Sequence, residues 1–519
     1  MKVLVAGRAR RDGGKMQTFL IGLVILIGGG ALYGGFCQKV FGPDDRQTPA
    51  YERQDGVDFV PMPKWKNALI NLLNIAGTGP ILGPIQGILF GPIAFITIPV
   101  GCVIGGAMHD YFSGMISIRE GGIQMPEVIR LNLGSGMHKL YTVFVCLALF
   151  LVGAVFTYTP GDILATQVFG FGGTAGESST WVIYACIFIY YIVAALFPID
   201  KIIGRVYPVF GAILLLSAVG VFAMLFIKGA PLLNLWEPWI LGGFDFGEYF
   251  QRGHFIPAFF ITVACGILSG FHSTQITLIA RTLQSERQGR FAFYDMMIAE
   301  GFIAMVWAAG TMAMIGVGAE NAGITMQMDG GVWSYFQEIG GHMQKISATS
   351  VVGVVCKNLL GPVGGLIAII GVIILPITSG DTALRSLRLM IAEALHFDQE
   401  KTKNRITLAL PVFVVIFMVL IWAKNNPAGF NIIWRYFGWS NQTLAVFALA
   451  AILIWMMRHD KAKFLWIPLI PLVFYSFVTC SYILNAKIGF GLPLANSLCI
   501  GVVFAVLVAG ASIRCGMRR

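Results

Sequence analysis

Apolar residues run along this chain in blocks of about 18 to 25 with polar residues gathered between them. That is the pattern of helices crossing a hydrocarbon core about 30 Å thick. About 13 such spans can be read, near residues 17–36, 66–88, 90–117, 138–158, 180–197, 205–228, 254–277, 292–318, 358–380, 404–424, 435–457, 464–484 and 492–513. Inside blocks so uniformly apolar, helical periodicity carries little information, so length and flanking charge set the limits. The pattern predicts an all-α polytopic membrane protein. Composition supports it: 56% of residues are hydrophobic and only 12% charged, against roughly 25% charged in a soluble domain. The segment Thr18–Phe36 has no small-residue cleavage site and reads as a spanning anchor rather than a cleaved signal peptide.

Charge then sets the orientation. The net charge of +10 comes from basic residues at span ends, the positive-inside bias of a membrane protein, not a nucleic-acid surface. Arg119, Arg130 and Lys139 flank one short loop, Lys201 and Arg205 another, and Arg281, Arg287 and Arg290 a third; 385–405 and 458–463 are also basic. The intervening loops are acidic or neutral, with Asp162 and Glu177 lacking a base, and Glu237, Asp245 and Glu248 set against Arg252. The basic set, with Arg518 and Arg519, is expected in the cytoplasm of a bacterial cell. Lys2, Arg8, Arg10, Arg11 and Lys15 oppose this alternation, and Met16 opens the first apolar run directly. Residues 1–16 are therefore read as a leader or start-site artefact. The nine cysteines form no CxxC pair, so neither a disulfide framework nor a metal site is expected. HExxH, GxSxG and Walker patterns are absent, which points away from hydrolysis and ATP-driven transport, and no cofactor is implied.

Two spans are interrupted. In the first, Asn74-Ile75-Ala76-Gly77-Thr78-Gly79-Pro80-Ile81-Leu82-Gly83-Pro84 puts three glycines and two prolines within eight residues, which cannot sustain regular helical bonding. In the second, Gly266, Ser269, Gly270, His272 and Ser273 fall mid-span. Irregular backbone at that depth is tolerated where it is buried in protein or lines a wet cavity. The first interruption opens a run of five spans, 66–228, and the second opens another, 254–457; five being odd, the runs cross in opposite senses. Paired breaks in inverted halves point to a transporter's binding site. Gly77, Thr78, Gly79, Pro80 and Gly83, with Gly266, Ser269, Gly270, His272 and Ser273, are the expected substrate-binding residues. Residues 17–65 then form an extra N-terminal span with its linker, and 464–519 two extra C-terminal spans with a tail. A channel would need a repeated ring of like residues; a nutrient sensor on the same scaffold would bind without moving its ligand.

The same residues carry a family likeness. Asp55-Gly56-Val57-Asp58-Phe59-Val60-Pro61, the 77–84 break, Arg119–Gly122 with Glu127, Thr262–His272, Glu300 and Phe437-Gly438-Trp439-Ser440-Asn441-Gln442 occur in order. Together they resemble the carbon-starvation CstA family, which includes peptide and pyruvate transporters. The resemblance implies a LeuT-like 5+5 inverted repeat, import across the cytoplasmic membrane, and symport with H⁺ or Na⁺. It departs from the family pattern at His109-Asp110-Tyr111, where many members have Gln-Asp-Phe, and at Ser379, where an Asp is expected.

Ionisable groups inside spans are the remaining candidates. Asp110 and Glu300 lie roughly 10–13 Å deep at 1.5 Å per residue. A carboxylate there costs about 2.5–3.5 kcal/mol on insertion scales and should face the protein interior. Each is an ion-coupling group or a structural partner. His109 could shuttle protons or sit buried and satisfied; His272 could serve substrate, proton or local hydrogen bonding. Thr378, Ser379, Asp381 and Thr382 follow Pro376, where the LeuT-type resemblance places sodium ligands, though hydroxyls also cap helices. Residues 381–396 read as a cytoplasmic connector. Ser440 and Asn441 either gate the site or bond across helices.

Overall fold

A computed structural model describes residues 16–56, 58–196, 199–237, 240–241, 244–245, 255–315, 324–329, 332–339, 341–397, 402–426 and 428–518. The expected leader, Glu248 and Arg252 lie outside the described residues, as do the side chains of Lys201 and Arg205.

The helices are α1 (Gln17–Phe41), the bent pair α2 (Lys64–Ile75) and α3 (Gly79–Phe90), α4 (Ala94–Arg119), α5 (Met125–Leu133), α6 (Ser135–Val168), α7 (Ser178–Leu196) and α8 (Ile199–Ile227). They continue with the short α9 (Ala258–Val263) and α10 (His272–Ile279), then α11 (Glu286–Met314), α12 (Ala348–Ala394), α13 (Thr402–Asn425), α14 (Gly429–Arg458), α15 (Trp466–Asn485) and α16 (Leu494–Met517). Among the described residues ten helices are long and apolar enough to cross a membrane, and the pair α2–α3 makes an eleventh. The remaining two expected spans are the short apolar α7 and the interrupted 258–279 stretch. The chain is a multi-pass membrane protein.

Burial sorts the spans. The most apolar stretch of α14 is 83% buried, while that of α16 is 17% buried; α14 belongs to the core and α16 to its lipid-facing rim. Glycines bring α1 against α11: a side chain at Gly30 would strike Ile298, and one at Gly34 the Tyr294 ring. Small residues are how membrane helices approach closely where lipid offers no hydrophobic driving force. Gly42 ends α1 in the left-handed region at φ +71°, a conformation that favours glycine.

Three details differ from the sequence-based expectations. The chain is not wholly α: β1 (Ile324–Asp329), β2 (Val332–Ile339) and β3 (His342–Ile346) form an antiparallel sheet in that order, with Thr325 opposite Phe336 and Phe336 opposite Lys345. The hydroxyl of its buried Tyr335 donates to the Ile85 carbonyl in α3. Residues 381–394, expected as a connector, continue α12, and Arg385 and Arg388 are buried there. α12 itself is two helices joined at Gly361 (φ 73°, ψ −176°) ahead of Pro362. Asp162, expected in an unpaired acidic loop, lies within α6, 2.9 Å from Lys424 Nζ, and accepts from Thr349 Oγ1 at 2.8 Å.

On the basic-loop face, the linker between α1 and α2 straps down the chain segment that precedes α11. Thr48 Oγ1 donates to the Leu283 carbonyl (2.6 Å), and Met62 N–H to the Thr282 carbonyl (2.9 Å). Fully buried Glu286 accepts from Arg119 Nε (3.0 Å), Arg119 Nη2 (3.1 Å) and the Asp44 N–H (3.0 Å). Hydrogen bonds from Arg46 hold the exposed Asp44 carboxyl below the ordinary carboxylate range.

Candidate functional site

Both interruptions are real breaks. α2 ends at Ile75, and Ala76 (φ −78°, ψ 64°) leaves helical space. The Gly77 N–H folds back onto the Ile75 carbonyl at 2.9 Å. α3 starts at Gly79 with Pro80 in its first turn, where the missing N–H costs nothing. The two halves are bent by 49°. Irregular backbone is thus confined to Ala76–Thr78, narrower than the sequence suggests, because Gly83 and Pro84 remain inside α3. In the second span a 3-10 turn over Ala264–Gly266 follows α9, and α10 begins at His272. Ala264 holds φ at +37°, a strained conformation for a residue with a Cβ.

The breaks touch. A Cβ built on Gly79 would run into Cys265 Cβ and Sγ, one on Gly83 would lie 2.6 Å from the Val263 carbonyl oxygen, and one on Gly266 would lie 2.9 Å from Ala304 Cβ. Gly270 packs against backbone atoms of Asn441 and Ala445. Asn441 staples the second break: its Oδ1 accepts from Ser269 Oγ (2.9 Å) and the Phe271 N–H (3.0 Å), its carbonyl accepts from the Gly270 N–H (3.1 Å), and its Nδ2 reaches Cys265 Sγ at 3.0 Å. Gln442 Nε2 adds a bond to the Leu268 carbonyl (2.8 Å). Of the two roles open to Asn441, the geometry displays cross-helix bonding; Ser440 is buried beside it.

Between the breaks lies a cavity of about 20 Å³, room for about one water molecule. Gly77, Gly79, Ser269, His272 and Ser379 face it. The other expected substrate residues stand behind the wall. Pro80 and Gly83 are in α3, Gly266 and Gly270 are packing contacts, and Ser273 Oγ donates to the Gly270 carbonyl at 2.6 Å. Thr78 Oγ1 is buried without a partner. Sequence reasoning missed Asn74, Gln275 and the aromatic wall of Phe156, Phe271 and Phe437. Asn74 lies two residues before the break, on the last turn of α2, and Gln275 follows His272 by three positions on one helix, the spacing that puts two side chains on one face.

Beside the cavity the buried ionisable groups converge. His272 Nδ1 is 2.9 Å from Asp110 Oδ2, and its Nε2 is 3.4 Å from Glu300 Oε2. His109 Nδ1 is 2.8 Å from the other Asp110 oxygen, Oδ1. All four side chains are at most 2% exposed. One imidazole therefore sits between a carboxylate from α4 and one from α11. A relay of this kind can hold and pass a proton, and each charge within it needs its partner because isolated buried charges are strongly disfavoured.

On the far wall Ser379 Oγ donates to the Leu73 carbonyl (2.8 Å), and Thr378 Oγ1 lies 3.5 Å from the same oxygen. Thr382 Oγ1 bonds within α12, to the Ser379 carbonyl at 3.1 Å. Asp381 lies away from the cavity, its Oδ1 4.0 Å from Arg385 Nη2 and its Oδ2 3.5 Å from the Tyr190 hydroxyl.

A sequence profile described as "Carbon starvation protein CstA" matches residues 15–171, 161–359 and 345–482. An uncharacterised membrane protein of Haemophilus influenzae is 41% identical over 331 residues, covering 56% of this chain and 89% of that protein. The peptide transporter CstA of Escherichia coli K12 is 25% identical over 564 residues, covering 87% of this chain and 78% of its own length. The CstA protein of Mycobacterium tuberculosis H37Rv, of the same description, is 26% identical over 550 residues, covering 85% of this chain and 71% of its own length. Among solved structures, mutants of the Eremococcus coleocola manganese transporter superpose with a TM-score of 0.57 at 10% identity, covering 89% of this chain and 97% of theirs. At that identity the likeness is one of fold alone. With the profile running from α1 into α15, the chain belongs to the CstA carbon starvation protein family.

Proposed function

We propose that this protein is a secondary active transporter that imports short peptides across the bacterial cytoplasmic membrane by alternating access. The scaffold is a LeuT-like five-plus-five inverted repeat of residues 66–228 and 254–457, with α1, α15 and α16 outside it and the C-terminus in the cytoplasm. The observation that carries this reading is the direct contact of two broken spans, Gly79 against Cys265, beside a small cavity that both line. Helix breaks meeting at mid-membrane supply free peptide groups and half-helix dipoles where a zwitterionic solute can bind. The peptide-transporter descriptions of several relatives support the solute class.

The coupling ion is H⁺, carried by Asp110, His272 and Glu300. With His272 as the imidazolium, the two carboxylates leave the relay with one net negative charge. A second proton makes it neutral, and low dielectric strongly favours moving it as a neutral unit. Thr378 and Ser379 are the place for Na⁺ instead; Ser379 donates its hydroxyl proton to the Leu73 carbonyl, which leaves its oxygen lone pairs open to a cation.

The test is uptake of a labelled dipeptide into proteoliposomes under an inward pH gradient or an inward Na⁺ gradient. Accumulation driven by the pH gradient is expected. Accumulation that follows only Na⁺ would move coupling to α12, and a protein that binds dipeptide without exchanging it would be a sensor.

A further inference from the structure

The cavity wall holds no arginine, lysine or carboxylate; its polar groups are uncharged or belong to His272. Two of them are side-chain amides with unused hydrogen-bonding edges. Asn74, on the last turn of α2, is 3% exposed, and neither its Oδ1 nor its Nδ2 has a partner. Gln275, on α10, is 4% exposed; its Nε2 reaches Thr274 Oγ1 at 3.3 Å, while its Oε1 has no partner. They line the cavity from different broken spans. An orphaned buried polar group is destabilising, and a leucine or methionine would fill either position without it. Buried unpaired groups call for an explanation, and here two of them share one cavity.

Their chemistry specifies what would satisfy them. A carboxamide carries one acceptor and one two-hydrogen donor in a plane. In an extended peptide the N–H and C=O of a residue point the same way, so one carboxamide can pair with both. The unused set contains two obligate acceptors, Asn74 Oδ1 and Gln275 Oε1, against a single amide donor. Acceptors can be paired only by a solute that brings N–H or O–H donors. A 2-oxo acid such as pyruvate has acceptors only and would leave both stranded, and sites built around a hydrogen bond discriminate strongly against ligands that lack it.

We infer that Asn74 and Gln275 read the main chain of the transported peptide: Asn74 takes the N–H and C=O of one residue, and Gln275 accepts a second N–H. The assignment rests on the transporter reading above. Apart from Ser269, His272 and Ser379 the remaining wall, including Leu149, Val152 and Phe437, is apolar, so recognition through the backbone would accept many side chains. Because the cavity is water-sized, the peptide enters as the two spans part, and the two amides close on it from opposite sides.

The experiment is counterflow with the full chain in proteoliposomes. It uses labelled alanyl-alanine, with unlabelled alanyl-alanine, its analogue methylated at the peptide nitrogen, and pyruvate as competitors. Wild type should prefer the parent dipeptide over the methylated analogue and over pyruvate by about tenfold or more, the effect of one stranded buried acceptor. Asn74→Leu and Gln275→Leu should each lower dipeptide exchange by about tenfold, and the one whose amide meets the single peptide N–H should also shrink the preference over the methylated analogue, with melting temperatures at or above wild type because a buried unpaired group has gone. If Asn74→Leu fails to fold, Gln275→Leu and the wild-type competition series decide. Equal competition by the methylated analogue, undiminished exchange in a folded variant, or undiminished preference in both folded variants, would overturn the assignment and leave the transporter reading standing. A wild-type protein that exchanges no dipeptide would overturn both.

Discussion

The contact between the two breaks can be tested by moving one methyl group across it. Gly79→Ala adds a Cβ where Cys265 Cβ and Sγ already stand, with Cys265 Cα only 3.6 Å away. Alanine suits the first turn of α3, so the perturbation is purely one of contact. No rotamer change relieves it: Cys265 Cβ is fixed by the backbone, and turning Sγ away would break its contact with Asn441 Nδ2 at 3.0 Å. Overpacking of this kind costs about 1–3 kcal/mol, and losing the N–H···S contact adds about 0.5 kcal/mol. If the strain is relieved by separating the spans, the population of the closed arrangement falls about 10- to 300-fold, at tenfold per 1.4 kcal/mol. Counterflow rates, normalised to folded protein by size-exclusion chromatography, should fall accordingly while expression holds. Cys265→Gly removes the obstructing atoms. In the double variant the alanine methyl occupies part of the vacated space, and exchange should recover, with a coupling energy of about 1–3 kcal/mol. Wild-type rates in Gly79→Ala, or a double variant as inactive as the single, would refute the idea that the spans work in contact.

Three further outcomes are expected. Asp110→Asn and Glu300→Gln should keep dipeptide exchange at equal pH but lose accumulation driven by an inward pH gradient; retained accumulation in either would remove that residue from the relay. Asn441→Leu strands the Ser269 hydroxyl and the Phe271 N–H, at about 1–3 kcal/mol for each buried group, and should lower the melting temperature together with exchange. Arg119→Ala leaves Glu286 buried without its main partner, a loss of about 3 kcal/mol or more, whereas Glu286→Gln, which removes the buried charge, should be the milder variant in a thermal scan.

What the sequence makes legible follows from how locally each feature is encoded. The breaks stand out because Gly77, Gly79, Pro80 and Gly270 are wrong for the helix interior in which they lie. Asp110 and Glu300 stand out because a carboxylate amid apolar residues needs a reason. Their joining through His272 is not legible, since His272 is 162 positions from Asp110 and only the packing of α10 against α4 brings the groups together. Asn74 is hidden for the opposite reason: an asparagine beside a glycine-rich break looks like turn chemistry until its amide proves to be buried without a turn to serve. The first strand is written in the alternation of Ile324–Asp329, a short strand signal outweighed by the apolar blocks around it. Lys424 and Asp162 each end an apolar run, so charge counting assigns them to separate loops, although their side chains meet.

On the proposed reading, solute and proton would meet at His272. It faces the cavity and also stands between Asp110 and Glu300, so any motion that admits a peptide must move one of the relay's contacts. α10 carries His272 and Gln275 together, while Asp110 and Glu300 belong to α4 and α11, both among the most buried spans. A displacement of α10 large enough to admit a peptide is therefore several times the slack in a hydrogen bond of 2.9 Å and an ion-pair contact of 3.4 Å. An imidazole parted from its carboxylates in that interior cannot keep its charge cheaply. The proton must then leave with the opening or be replaced as a partner by the peptide itself. Either way, opening with the proton in place and no solute is the disfavoured combination. In the proposed symporter that combination is the uncoupled leak, so one histidine on α10 between carboxylates of α4 and α11 would give coupling a physical origin without a separate gate.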